Sequence, residues 1–457
     1  MNFQTCTHAM KFMVEFKLRS CLLIRSGEIG EFSDSTIART PDGKKLEING
    51  YVWSSLLRRC LERLKNDNGL ANKIGKYDSE INSVSNLWLK PSFVDLPFTD
   101  NRSGNKIDRK MGSASEGALY NDEIVPPGLS IPLQCLFFCD ASEIKQVQDA
   151  FSAALWVVNE NIENIGGGWS YGFGRLECIH AYWKKITLSD EHDRKRLFRD
   201  EESSAFQELE IHKPDIKKPW VQYTVQAQIQ EGQLLAIHND FPSVIDAHGG
   251  KLPDKFLFRR MVVGSDSSLS YELVIPGKSL RQALFSVPIE RKLRSKNEDC
   301  CDNPSELCTC NRCKDHWNVV HKKENSPDCQ CRRCQWFGNT EKGGMVAVFD
   351  APLSKTDTVI LNRIQLCEHS AQNVQLFSSE YLKAGDFSFE VVIDRSCDGP
   401  SAALLMKEIE IILSEMNPGG DAPPGWHRIG VTSTATGQLS LLECQKLEYG
   451  EVHCEGK

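Results

Sequence analysis

The chain has 457 residues, of which 40% are hydrophobic, 9% aromatic and 25% charged, close to globular averages, which excludes a disordered, collagenous or coiled-coil polypeptide. Fifty-four basic against sixty-two acidic residues give a net charge of -8, which excludes a uniformly basic nucleic-acid coat but leaves room for a local basic groove. No stretch approaches the ~18 uncharged apolar residues of a membrane span, and the opening MNFQTCTHAMKFMVEFKLRS carries lysines where a signal peptide is apolar. A cytoplasmic chain of two domains with no membrane partner is expected.

In chain order, residues 12–23 alternate like a strand and meet the glycine-broken loop from Arg25. A short strand at Lys45 ends at Asn49-Gly50, and Trp53, Leu56, Leu57, Cys60, Leu61 and Leu64 then recur at helical spacing. Residues 131–139 read as a strand, 141–163 as an amphipathic helix, and Gly166-Gly-Gly-Trp-Ser-Tyr-Gly-Phe-Gly-Arg175 as a glycine-rich loop feeding a strand at 176–183. Residues 184–218 are mixed-charge and turn-rich and read as a linker.

The order then repeats. Residues 221–229 alternate like a strand, and Ile275-Pro-Gly-Lys-Ser-Leu opens a helix as Ile48-Asn-Gly-Tyr-Val-Trp does. Leu376-Phe-Ser-Ser-Glu-Tyr-Leu answers Leu119-Tyr-Asn-Asp-Glu-Ile-Val, and each is followed by a strand and a helix. Each half reads as strand, helix, strand, strand, helix, strand, so the fold class is α+β: two tandem ferredoxin-like domains with loop insertions, over 1–183 and 219–457.

Eighteen cysteines in a long chain without an export signal point to metal rather than disulfides, since eight fall between Cys300 and Cys334. Cys310, Cys313, Cys331 and Cys334 form C-x2-C-x17-C-x2-C, the spacing of a structural zinc site. Four thiolates close the tetrahedron, so zinc would hold an insertion at about 297–340 together rather than activate water. Cys308, Cys329, His316 and His321 are substitutes for a ligand, the surplus leaves room for a second ion, and the roles of Cys300, Cys301, Cys308 and Cys329 stay open.

Asp34 begins Asp-Ser-Thr-Ile-Ala-Arg39 and Asp254 begins Asp-Lys-Phe-Leu-Phe-Arg259, so both halves carry a loop aspartate five residues before an arginine. Asp246 is a rival for the second position. Lys44, Lys45, Arg58, Arg59, Arg259, Arg260, Lys278 and Arg281 collect positive charge near the helix openings, where phosphate would bind. The glycines Gly167, Gly168 and Gly172 let backbone amides approach phosphates, and Tyr171 and Phe173 offer faces for bases.

The Gly27 to Asp34 loop, the two helix openings, the run from Asn105 to Gly128 and the Gly172-Phe-Gly-Arg175 ending resemble the repeat-associated mysterious protein (RAMP) superfamily, in particular the backbone subunits of type III CRISPR effector complexes. A chain with two such domains resembles the fused double-backbone subunit of a type III-D variant. The second half departs at Pro423-Pro-Gly-Trp-His-Arg-Ile-Gly430, which lacks the Gly-x-Gly-Arg ending. The resemblance implies guide RNA, complementary target RNA and other type III effector subunits as partners. It implies a metal-dependent endoribonuclease within the complex, with Asp34 and Asp254 catalytic, Mg or Mn as the catalytic ion, and RNA contacts at Arg39, Arg175 and the glycine loop. It also implies protruding hairpins near 92–117 and 343–373. The alternatives are a non-catalytic guide-binding scaffold and a nuclease that processes guide precursors.

Overall fold

The computed structural model describes residues 6–30, 33–65, 69–74, 85–96, 98–107, 114–229, 232–239, 253–264, 266–295, 332–338, 343–367, 370–396, 399–416, 428–429 and 437–450. The rival Asp246 and the cysteines Cys310, Cys313 and Cys331 lie outside these residues, as does most of the expected zinc insertion. No helix among the described residues is long and apolar enough to cross a membrane.

The first half carries β1 (His8–Leu18), β2 (Lys45–Ile48), α1 (Gly50–Glu62), β3 (Leu87–Lys90), β4 (Ser92–Asp95), β5 (Asp100–Ile107), β6 (Ala114–Ile124), β7 (Ser130–Cys139), α2 (Ile144–Asn159), β8 (Leu176–Thr187), α3 (Glu191–Arg196) and β9 (Gln207–Glu208). Its main sheet is antiparallel, in the order β3-β7-β1-β8-β9. The apolar stripe of α1, Trp53, Leu56, Leu57, Cys60 and Leu61, is buried as its helical spacing requires. Both helices lie on one face of β1, where Phe12 stacks on Phe151 at 4.0 Å and Phe16 on Trp53 at 5.6 Å. Asp140 and Glu143 form a reciprocal capping box at the entry to α2.

The second half carries β10 (Trp220–Ile229), β11 (His238–Asn239), β12 (Phe256–Leu257), β13 (Arg259–Val263), β14 (Leu269–Ile275), α4, α5 (Arg332–Phe337), β15 (Val346–Val348), β16 (Ala351–Cys367), β17 (Ser370–Asp394), α6 (Gly399–Glu415), β18 (Arg428–Ile429) and β19 (Gly437–Tyr449). Helix α4 runs through Gly277–Leu280, widens into a π turn over Arg281–Ser286 and continues over Val287–Ser295. The core strands stand in the order β15-β17-β10-β19, again antiparallel. The two sheets therefore share one order, second-third-first-fourth, which is that of the split βαβ plan. Both also break register between the first and last strands, at Glu15/Phe16 and at Gln226/Ala227. The α+β reading with antiparallel sheets is borne out.

Residues 184–218, expected as a linker, pack on the first sheet. Lys11, nearly buried on β1, donates to the carbonyl of Arg199 at 2.5 Å and faces Glu201, while Leu197 joins Ala9, Leu136 and Ile186 in a small cluster. The charges that suggest a linker lie outward, and a few spaced apolar residues hold the segment down. Its last residues return to α1, where Ile216 bridges Leu64.

A seam joins the halves. Trp220, Ala347, Phe349 and Val392 of the second half belong to the first half's hydrophobic cluster. Arg63 pairs with Asp394 at 2.8 Å, and Trp156 tilts against Trp220 at 6.1 Å.

Candidate functional site

Each loop aspartate is exposed and clasped to the strand that faces it. Asn121 donates its backbone N–H to Asp34 Oδ2 at 2.7 Å, and the Asp34 N–H donates back to the Asn121 carbonyl at 2.8 Å. In the second half, Ser378 donates its N–H to Asp254 Oδ2 at 2.6 Å, and the Asp254 N–H returns to the Ser378 carbonyl at 3.0 Å. Three residues on, the N–H of Ile37 donates to Glu123 at 3.1 Å and that of Leu257 to Glu380 at 3.0 Å. Four residues on, the Ala38 N–H meets the Ile24 carbonyl at 2.8 Å, and the Phe258 N–H meets that of Ile237 at 2.7 Å. Five residues on, Arg39 pairs with Glu123, and Arg259 pairs with both oxygens of Glu380 at 2.7 and 2.8 Å. The Asp-x-x-apolar-x-Arg spacing is thus one hydrogen-bonded device built twice. Its apolar member anchors in the core, Ile37 at 2% and Leu257 at 5% exposure.

Glu123 and Glu380 are the residues that sequence reasoning did not assign. They were visible only as matching letters in the Leu119 and Leu376 runs; their role depends on contacts more than eighty residues apart along the chain.

The surroundings of the two loops differ. Arg25, half exposed, pairs with Asp122 at 3.1 Å and donates to Ser35 at 3.2 Å. His238 stands at the corresponding place in the second loop, with Nε2 3.0 Å from the Glu380 carbonyl, and Ser379 replaces Asp122. Among the described residues no three His, Cys, Asp or Glu side chains group as a metal cage. A single exposed carboxylate suits a hydrated Mg or Mn ion that takes its remaining ligands from water and phosphate oxygens. Cys334 is buried on α5, and the other three cysteines of the expected zinc set lie outside the described residues.

The glycine-rich loop lies in the seam. Gly172 has φ +76°, and a Cβ there would sit 2.3 Å from the ring of Phe349. Phe173, expected to stack on bases, is 4% exposed and lies beneath the Arg102 guanidinium at 5.3 Å. Arg175, expected on phosphate, pairs with Glu390 at 2.9 Å and covers the Phe349 ring at 4.4 Å. Burial lowers its affinity for a proton, against the pull of Glu390. Lys278 donates to Tyr120 at 2.7 Å and stands 5.5 Å from the centre of Tyr171, and burial holds its ammonium below the usual lysine range. Glycines that admit close backbone approach serve a protein face here, because the chain's own second half occupies the space. Gly167 and Gly168 hold the loop in place: the Gly167 N–H donates to the Leu23 carbonyl at 2.8 Å, and Gly168 has φ +80°.

The remaining cations divide. Lys44, on the turn before β2, and Lys45, which opens that strand, are exposed, with Lys45 3.2 Å from Asp95, and Arg58 faces Glu62 one turn on at 3.9 Å. Arg59 pairs with Glu163 at 2.8 Å and donates to the Asn164 carbonyl at 2.7 Å. Arg281 is buried, donating to the carbonyls of Val346 and Phe337 at 3.0 and 2.6 Å, so it braces α4 against β15 and α5.

Residues 15–177 match the family model of the RAMP superfamily. Over that span the first half is similar to the RAMP superfamily. The match runs from the end of β1 to the start of β8, and so includes the Asp34 loop, α1 and the glycine-rich loop, and it bears out the likeness to RAMP-type CRISPR subunits. The comparison with curated proteins found no match.

Proposed function

We propose that the chain is a backbone subunit of a type III CRISPR effector complex, with two tandem RAMP domains that hold guide RNA and present Asp34 and Asp254 to a paired target RNA. What supports this reading is the twofold occurrence of one exposed aspartate loop, locked to its facing strand by the same four contacts, in a chain whose first half is similar to the RAMP superfamily. Clasping one carboxylate oxygen and fixing the backbone on both sides holds the side chain's direction, as a group that must meet a scissile phosphate requires. A divalent ion at either carboxylate would neutralise charge developing on that phosphate while a neighbouring ribose 2′-OH attacks. Sequence choice lies with base pairing, so the protein alone discriminates little between guides.

The second reading is a scaffold with the same partners. The observation that favours it is the clasp itself, since an aspartate that only shapes a loop makes the same bond to a backbone N–H. Assembled complex, incubated with magnesium and end-labelled complementary RNA, separates the two. Ordered fragments are expected, with Asp34→Ala slowing one cut at least ~100-fold and leaving guide RNA content unchanged. Intact target with the wild-type complex overturns catalysis and leaves the scaffold.

A further inference from the structure

The outer face of the first sheet, turned away from α1 and α2, carries charge where a covered sheet face is normally apolar. Alternation along β1 places Ala9, Lys11 and Met13 on it, with Leu136 and Lys184 directly beside Lys11 and Tyr182 beside Met13. The fold does not require these cations. Counted from the register break that both sheets share, Gln222 and Leu447 of the second sheet hold the places of Lys11 and Lys184. Lys11 is nonetheless 5% exposed, and burial pulls its ammonium below the usual lysine range. Covering a lysine costs more than covering a methionine of similar length, so packing alone does not account for it.

The 188–206 segment covers this face and presents to it acids flanked by rings. Glu201 sets one carboxylate between Lys11 at 3.7 Å and Lys184 at 3.4 Å, and Arg196 of the segment itself donates to it at 2.6 Å. Asp200 sets a second carboxylate 2.7 Å from Lys90 of β3. The Phe206 ring faces both Lys11 and Lys184, its centre 5.9 and 5.8 Å from their ammonium groups, and Phe198 meets Trp88 of β3 edge-on at 5.0 Å.

The segment is pinned at its ends and lightly held between them. Asp190 caps α3 by accepting from the N–H groups of His192 and Asp193, and Gln207 and Glu208 pair with Trp183 and Tyr182 of β8. Its apolar hold is Leu197 in the cluster with Ala9, Leu136 and Ile186, with Leu188 packed beside it, while Phe198 stays 62% exposed. A stretch held by ion pairs and a small apolar anchor opens at less cost than the sheet beneath it.

We propose that the outer face of the first sheet binds single-stranded RNA, and that the 188–206 segment is a strap that closes it, with Glu201 and Asp200 standing where phosphates lie and Phe198 and Phe206 where bases lie. With the strap lifted, Lys11, Lys184 and Lys90 meet phosphates and Trp88 and Tyr182 offer ring faces; the exposed His180, stacked on Tyr182 at 6.1 Å, extends the same face along β8. A free acidic peptide is a poor occupant, because the tethered strap has the same chemistry at a far higher effective concentration. RNA outcompetes the strap because every nucleotide brings both a charge and a ring, and its binding releases counterions.

The full chain, purified free of nucleic acid, is titrated with labelled oligouridylate, which needs no guide and no complementarity, so the result is independent of the backbone reading. The double variant Asp200→Asn, Glu201→Gln is expected to bind about tenfold tighter than wild type or better, and adding Lys11→Met and Lys184→Met to it should abolish the gain. Ultraviolet light should couple uridine in the double variant to the peptides that carry Trp88 or Tyr182. In wild type, oligouridylate should speed tryptic cutting between Arg194 and Arg199, a readout that needs no variant to fold. No gain in affinity, a gain that survives loss of both lysines, coupling confined to other peptides, or unchanged cutting each overturns the strap. Equal displacement of oligouridylate from the double variant by polyglutamate overturns RNA as the occupant.

Discussion

The two aspartate loops and the two helix-opening faces of this chain have diverged to different degrees. Around Asp34 and Asp254 the same backbone donors, the same glutamate and the same arginine recur at the same spacing. Around Gly50 and Gly277 the fold is kept, but the side chains are exchanged: tyrosine for lysine, lysine for phenylalanine, proline for aspartate, glutamine for glutamate. Each aspartate loop is held by several bonds at once, so a change in any one of them disturbs the rest. The Gly277 face is covered by the first half's hairpin and glycine-rich loop, so its side chains answer different contacts.

The largest expected effect separates seam from loop. Arg102→Met leaves Asp350, 4% exposed, without its closest cation, and should lower unfolding stability by about 3–5 kcal/mol in denaturant melts. A loss under 1 kcal/mol would show that the seam is not held there. Gly128→Ala comes next. It forces a side chain into φ +106° and puts a Cβ 1.9 Å from the Val263 carbonyl, so a loss of about 1–3 kcal/mol is expected. Protease digestion should then begin releasing the halves separately, and unchanged digestion would count against a tight joint.

Glu123→Gln and Glu380→Gln sharpen the likeness of the loops. Each removes the charge from a bond to arginine and should cost about 1.5–3 kcal/mol, with similar values for the two. Strongly unequal costs, read by hydrogen exchange at Ile37 and Leu257, would break the claim that one device was built twice.

The smallest effect concerns acid. Burial alone would raise the Asp394 carboxyl, but the Arg63 guanidinium opposite overrides it and holds the group below the usual carboxylate range. A carboxyl depressed in the folded state stabilises the fold above its unfolded value of about 4, and that contribution is lost as pH falls through the lower folded value. Asp394→Asn should therefore flatten the fall in melting temperature as pH drops below about 4. An unchanged acid limb would remove this pair from the account of the seam.

Much of this was legible in the residues because it is local or periodic. The helical stripe from Trp53, the alternation of β1 and β10, and the Asp-x-x-apolar-x-Arg spacing each fall within a dozen residues. The tandem order was readable because the Leu119 and Leu376 runs each carry a glutamate four residues after the leucine, at the same place in the same order of elements. What escaped is long-range. Glycines that admit a phosphate also admit Phe349, and only the folded chain shows which arrives. Arg281 reads as a surface cation until α5 closes over it. The 188–206 segment reads as a spacer because its few anchors, Leu197 among them, are spaced too widely to form a pattern.

The ion-paired seam bears on any cutting the chain performs. Because Arg63, Arg102 and Arg175 each bridge the halves to an acid, the gap between Asp34 and Asp254 belongs to the protein and not to the nucleic acid lying across it. The molecule would then act as a caliper: two incisions, if both loops make them, fall a constant number of nucleotides apart on every transcript, whatever its letters.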